Sequence, residues 1–363
     1  MHRENHYVPR LYLKHFEAAP GKIQTYRLLV SHDHIPLWKL RSIGAVGFHS
    51  HLYTRLVAGG ESDEIENWLN REFETPAEEP IRKVIEDRPL NTSDWQALIR
   101  FLAAQDVRTP ARLIASMKRS VQETPQQLEQ VLAHAKEAMK RAKESGQPLP
   151  KRPFPNGDYM PLRVTTEIDE ERKAGRLKVE VLVGRGSWHF EIKHLLDKTL
   201  NVLLTHSWGI LTPPDDLLWF TSDDPVVKLN YHNEYKYDFG GGWASPGSEI
   251  MLPLSPRHLL FTHIGAPASA NGTVLSHRKA KFIRRFIAEH AHRMIFASTE
   301  DPQVRKLKPR EVNLEKVRYE SEQWKNWHRG QSEAEREFIR TSAPLAAHSP
   351  DEECHSGLVT RHE

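Results

Sequence analysis

Asn5-His6-Tyr7-Val8-Pro9-Arg10-Leu11-Tyr12-Leu13-Lys14-His15-Phe16 sets an imidazole, a proline, a guanidinium and an apolar face side by side. Proline suits the first turn of a helix, where its missing N–H leaves no bond unmade. From there Tyr12, Leu13 and Phe16 recur at helical spacing and give the helix a face to bury. His6 falls just ahead of that helix start, where free backbone N–H groups favour an anion. The same residues better describe a structural helix start whose His6 is only a hydrogen-bonding partner, because a single histidine is a weak signal.

Working outward, residues 22–29 and 35–40 read as a hairpin around Ser31-His32-Asp33-His34. A short strand is expected at 52–55. His49 and His51, two apart, would share one side of a strand; with no acidic or cysteine neighbour in sequence they read as solvent-facing. Helices then dominate. One runs from a cap at Ser62 or Asp63 to Glu74, burying Ile65, Trp68, Leu69 and Phe73. Another starts at Pro80, with Ile81, Val84 and Ile85 inside. Asn91-Thr92-Ser93-Asp94 caps a third, which Pro110 must interrupt, because its ring clashes with the carbonyl four residues back. Thr109 is placed to cap the restart. Helices at 112–120 and 126–144 follow, the second highly charged.

Five prolines mark residues 146–161 as a loop. Beyond it a strand is expected at 178–183 and a helix at 190–204. Strands follow at 208–211, 217–221, 226–229, 249–254 and 259–263, then a helix at 279–291 capped by Ser276 and a strand at 293–297. Gly240-Gly241-Gly242 lacks the strand–helix bracket of a phosphate loop. The pattern implies an α+β fold: a helical central region packed with antiparallel strands from the N-terminal and C-terminal parts.

Composition narrows the class. The chain has 363 residues, 51 basic against 48 acidic, for a formal net charge of +3. That balance is too mild to diagnose nucleic-acid binding, although 21 histidines leave it open. One cysteine, Cys354, excludes an intrachain disulfide and fits a reducing cytoplasm. Residues 199–214, a run without charge, are too short and polar to cross a bilayer. No signal-peptide core is seen at the N-terminus, so a soluble cytoplasmic protein is expected. Dinucleotide, Walker-type and zinc-cysteine spacings are missing, so the one cofactor left open is a divalent cation.

The string from His6 to Phe16 resembles the opening signature of a bacterial family known as domain of unknown function 4238. Residues 48–53, Glu74 and the helix after it, 101–110, 221–225 and 252–256 are similar to that family in the same order, with a weaker sixth stretch at 287–297. The resemblance implies a single domain over about residues 1–298, carrying a charged helical arm near 121–150. Residues 299–363 remain as a polar extension with a disordered end. Neither arm nor extension offers a broad apolar face, so both are expected to be dispensable for folding. The family name carries no activity.

Chemistry is sought in three places. Thr221-Ser222-Asp223-Asp224-Pro225 lies between apolar strands and could present carboxylates for a cation or a proton transfer, or could be a plain turn; the resemblance includes Ser222, Asp223 and Pro225. Gln105 and Arg108 project from one side of a helix, and a guanidinium matches phosphate or carboxylate geometry. Glu74 enters through the resemblance alone. His6, Glu74, Gln105, Arg108 and Asp223 are thus the candidate catalytic set, with Arg10, Thr109, Ser222 and Asp224 as binding residues. Together they suggest a nuclease or phosphoryl-transfer hydrolase acting on nucleic acid, in bacterial defence or stress. The alternative is a non-catalytic binding protein whose polar residues form a structural network. A shared site requires His6, Arg108 and Asp223 around one cleft, with Glu74 and Gln105 on the same wall.

Overall fold

The computed structural model describes residues 4–57, 60–146, 161–169 and 174–342. Strand β1 (Glu4–His6) leads through Pro9 into the short helix α1 (Arg10–Leu13) and one tighter turn, Lys14–Phe16. His6 therefore belongs to a strand, paired with Phe48, and the helix beyond is a single turn rather than an anion-binding terminus. Tyr12, Leu13 and Phe16 are fully buried. The hairpin forms from β2 (Lys22–Arg27) and β4 (Trp38–Ser42), with β3 (Leu29–Val30) between them. The strand expected at 52–55 is displaced: β5 (Phe48–Ser50) and β6 (Arg55–Val57) flank a loop that buries Leu52 and Tyr53, and β6 pairs with β7 (Gly60–Ser62).

Helix α2 (Glu64–Leu69) continues through a wider turn, Asn70–Glu74, towards α3 (Glu78–Ile85). Helix α4 (Thr92–Val107) starts with a reciprocal cap between Asn91 and Asp94. Its second half is buried on all sides, the environment of a central helix. The helix breaks at Arg108, and Thr109 Oγ1 accepts from the Arg112 N–H (3.3 Å) to start α5 (Pro110–Ser145). This is one helix across Pro125, not the two expected. After it come the hairpin of β8 (Leu162–Asp169) and β9 (Ala174–Val181), then α6 (Arg185–His194) and α7 (Asn201–Leu204). Residues 147–160, read as a loop, lie outside the described residues.

The C-terminal part builds the sheets. It runs β10 (Gly209–Thr212), β11 (Thr221–Ser222), β12 (Val227–Asn233), β13 (Lys236–Asp238), β14 (Ser248–Pro253), β15 (Leu259–His263) and β16 (Thr273–Val274). Helix α8 (His277–His290), capped by Ser276, precedes β17 (Met294–Ala297), and α9 (Val304–Leu307), β18 (Glu311–Val312) and α10 (Leu314–Ser342) follow. Of the two larger sheets, the first is ordered β13-β12-β14-β15-β10-β16 and the second β11-β17-β2-β4. The second sheet joins the two chain ends, and the Tyr12 hydroxyl locks the join by donating to the Pro253 carbonyl (2.5 Å) and meeting Thr221 Oγ1 (2.6 Å). The fold is α+β, as the sequence implied.

Helix α10 departs from the expectation of a dispensable extension. Trp324 and Trp327 pack against the core, Arg293 binds Glu320, and buried Arg185 holds Glu335 by two bonds (3.0 and 2.7 Å). Two tryptophans one turn apart on a charged helix anchor it without a continuous apolar face. The disordered end read at the C-terminus lies beyond the described residues. Trp324→Ala is expected to destabilise by about 2 kcal/mol, lowering Tm by several degrees in thermal melts. Val131→Glu on the exposed α5 arm should leave Tm unchanged.

Candidate functional site

Arg108 sits at the break between α4 and α5, where the chain leaves the helix and the side chain turns inward. It has no solvent exposure. Its Nη2 donates to the His6 carbonyl (2.7 Å), its Nη1 to Glu74, and its Nε to the Tyr53 hydroxyl (3.3 Å). Tyr53 in turn donates to the Arg108 carbonyl (2.6 Å), and its backbone N–H is accepted by the Asn5 side chain (3.0 Å). Burial disfavours the guanidinium charge, but Glu74, Tyr53 and Glu66 outweigh it and raise its pKa. Glu66 is the member sequence reasoning missed. Burial drives its carboxyl to about 7, against the pull of Arg108, and one of its oxygens is buried without a partner. Its signal was available: it stands three and seven residues ahead of Leu69 and Phe73, on the apolar side of α2. The His6 ring accepts from Arg10 Nε (3.1 Å); burial and the charge of Arg10 lower it to about 4.

The Thr221–Pro225 turn forms a second group. Asp223 Oδ1 and Oδ2 accept the backbone N–H groups of His292 and Arg293 (2.9 and 2.8 Å). Burial still pushes its carboxyl to about 7, with Asp224 adding to the rise. Asp224 accepts from Thr109 Oγ1 (2.8 Å), and Ser222 Oγ bonds the Asp224 backbone. Arg108 and Thr109, adjacent in sequence, therefore reach the two groups separately. His6, Glu74 and Arg108 are brought together; Asp223, Asp224, Ser222 and Thr109 are brought together. Tyr7 stands beside the second group: burial and the charges of Asp223, Tyr53 and Asp224 raise its hydroxyl well above the ordinary value. Gln105 joins neither through a hydrogen bond, since both its amide atoms are buried without partners. Its neighbour Asp106 is different. Burial would raise it, but Arg112 and Lys228 prevail and hold it at about 2.

Asp223 opens onto a cavity of about 360 Å³. Tyr7, His49, Pro110 and His292 line it, together with Arg27 and Arg41 from the four-stranded sheet and Trp324 from α10. His49 is not solvent-facing as expected; it stacks between Trp324 (3.8 Å) and Tyr7 (5.7 Å). Burial holds both His49 and His292 near 4, so each is neutral at pH 7. Arg27 is lowered by burial and by the like charge of Arg41, and among the described residues neither pairs with a carboxylate. The sequence reading singled out neither arginine, because what covers a strand face is set by segments far away in the chain.

These features define an α+β protein with a buried guanidinium–carboxylate network beside a basic, histidine-lined cavity. The chain belongs to the family described as "Protein of unknown function (DUF4238)", whose model matches residues 4–301. Neither a curated protein nor a solved structure matches it. Among the described residues no helix is long and apolar enough to cross a membrane.

Two measurements check the network. For Glu66 the folded-state pKa exceeds the unfolded one, so its contribution to stability is fully present below about pH 4.5 and is lost as pH rises through about 7. Glu66→Gln should remove that loss, so its Tm relative to wild type rises between pH 5 and pH 8. Arg108→Met should destabilise by about 3–5 kcal/mol, because it leaves Glu74 and Glu66 buried beside no cation.

Proposed function

We propose that this chain is a cytoplasmic phosphodiester hydrolase of the nuclease class, whose reacting groups are Tyr7, His49, Asp223 and His292 rather than the Arg108 cluster. The observation that carries the reading is that Arg27 and Arg41 line the Asp223 cavity, whose one other carboxylate, Glu320, is bound by Arg293. Two neighbouring guanidiniums that pair with no carboxylate among the described residues are stabilised by an anion, and planar forks match phosphate oxygens. A phosphoryl group held there would lie along the wall that carries the two neutral imidazoles. A neutral imidazole can accept a proton from a nucleophile. A carboxyl with a pKa near 7 can return one to a leaving oxygen. Backbone N–H groups already hold Asp223 in place, which fixes its orientation. Arg108 does not serve phosphate in this scheme: it is fully buried, and its bonds run to His6, Glu74 and Tyr53.

The alternative is a binding protein without chemistry. It is favoured by the network around Arg108, where candidate catalytic groups bond to one another and not towards a cavity. Purified protein incubated with RNA, single-stranded DNA and duplex DNA, with and without divalent ions, separates the two. The nuclease reading expects turnover that falls by about 10²–10⁴-fold in His292→Ala, with Tm nearly unchanged. Arg27→Ala/Arg41→Ala should weaken substrate binding and flatten its salt dependence. Binding without turnover under every condition would establish the alternative.

A further inference from the structure

A second cavity, of about 450 Å³, is lined by α4, α5, α6, β12 and the loop after β13. Among the described residues it shares no lining residue with the Asp223 cavity. Trp188, Ile192, Leu195 and Trp243 supply its apolar lining. The glycine run 240–242 lets the loop that carries Trp243 come close. A Cβ on Gly241 would fall 2.9 Å from the Leu229 nitrogen and 3.0 Å from the Lys228 carbonyl carbon, so glycine is needed to pack flush against β12. Two residues on, the Trp243 indole N–H donates to Asp106 Oδ2 (2.7 Å), and the Trp243 carbonyl accepts from His206 Nε2 (2.8 Å).

The charged lining does not balance. Asp106 Oδ1 accepts from Arg112, and Oδ2 accepts from Lys228 Nζ (2.7 Å) as well as from the indole. One carboxylate therefore serves two cations. The other carboxylate of the lining, Glu191, is taken by Arg119 and Ser116. Asp224 attracts Arg112 and Lys228 from outside the cavity, where Thr109 binds it. The lining is left with one positive charge in excess. Burial outweighs Asp106 and holds the Lys228 ammonium below the ordinary lysine value, as expected of a charge that is only partly compensated. An ammonium has three N–H donors, and Asp106 takes one of them.

We propose that this cavity binds a small aromatic carboxylate, with the carboxylate on Lys228 and Arg112 and the ring against Trp188 and Trp243. The volume falls within the range of small-molecule sites, about 300–1,000 Å³, and the mixture of aromatic lining with a few fixed polar groups is what such sites share. Asp106 already holds both cations in place, so they need no ordering when a ligand arrives. A singly charged carboxylate neutralises the excess. A phosphate monoester, carrying about 1.5–2 negative charges at neutral pH, would replace an excess positive charge by an excess negative one out of water. The aromatic body follows from the two indoles, which gain most from a flat partner stacked or edge-on.

The site does not depend on the proposed nuclease activity, and its test uses none. The full chain is titrated by calorimetry with 2-naphthoate, 2-naphthamide and 2-naphthyl phosphate. One 2-naphthoate per chain is expected, with the amide and the phosphate weaker by about tenfold or more. Lys228→Met removes the ammonium but leaves Asp106 with Arg112 and the indole, and should weaken 2-naphthoate by about tenfold or more. Ala115→Phe fills the cavity from an exposed position on α5 without touching the charged groups, and should block 2-naphthoate while Tm stays unchanged. Should Lys228→Met fail to fold, Ala115→Phe and the amide comparison decide. No 2-naphthoate binding at millimolar concentration, equal affinity for the amide, tighter binding of the phosphate, or unchanged affinity in Ala115→Phe or in folded Lys228→Met would overturn the proposal.

Discussion

Removing a guanidinium from water costs several kcal/mol unless its charge and N–H groups find partners, and Arg108 meets that condition by drawing distant segments together. The His6 carbonyl comes from β1, Tyr53 from the loop between β5 and β6, and Glu74 from the end of the α2 turn. No one of these segments is held by local structure alone, since β1 and β5 are three residues each and, among the described residues, pair with one another and no further strand. The guanidinium fixes their relative positions, and the helix break at Pro110 is what frees Arg108 to point inward. The next residue, Thr109, carries the same constraint to Asp224 and so to the turn beside the cavity.

Burial by itself does not decide what a carboxyl becomes. Asp106 and Asp223 are both nearly inaccessible, at 1% and 2% exposure, yet one is held at about 2 and the other pushed to about 7. Asp106 has two cations, Arg112 and Lys228, and the Trp243 N–H (2.7 Å). Asp223 has backbone amides and a neighbouring carboxylate. Full charges offset desolvation; amide dipoles opposed by a like charge do not. The protein thus separates a structural carboxylate that stays ionised from one able to exchange a proton near neutrality, which is the property that makes Asp223 a candidate for chemistry.

Helix α10 ties these elements to the chain end. It stacks Trp324 on His49 and His328 on His51, one helical turn apart, so the alternating histidines of the β5 region meet a matching pair on the helix. The same helix forms one wall of the Asp223 cavity. Although α10 lies beyond the matched stretch 4–301, it completes a surface that the stretch begins.

The sequence determined much of the local structure. Asn91, Thr109 and Ser276 cap where their side chains predicted, Tyr12, Leu13 and Phe16 are buried as their spacing required, and the helix breaks ahead of Pro110, whose ring opposes the preceding turn, although α5 runs on across Pro125. These are outcomes within a few residues, where propensity and steric rules act directly. The tertiary structure decided the rest. Whether Arg108 faces phosphate or Glu74, whether His49 meets water or Trp324, and whether Arg27 and Arg41 find an acceptor depends on segments far apart in the chain. Desolvation is the reason: it is set by what covers a group, and a linear pattern states which side a residue faces but not what lies on that side.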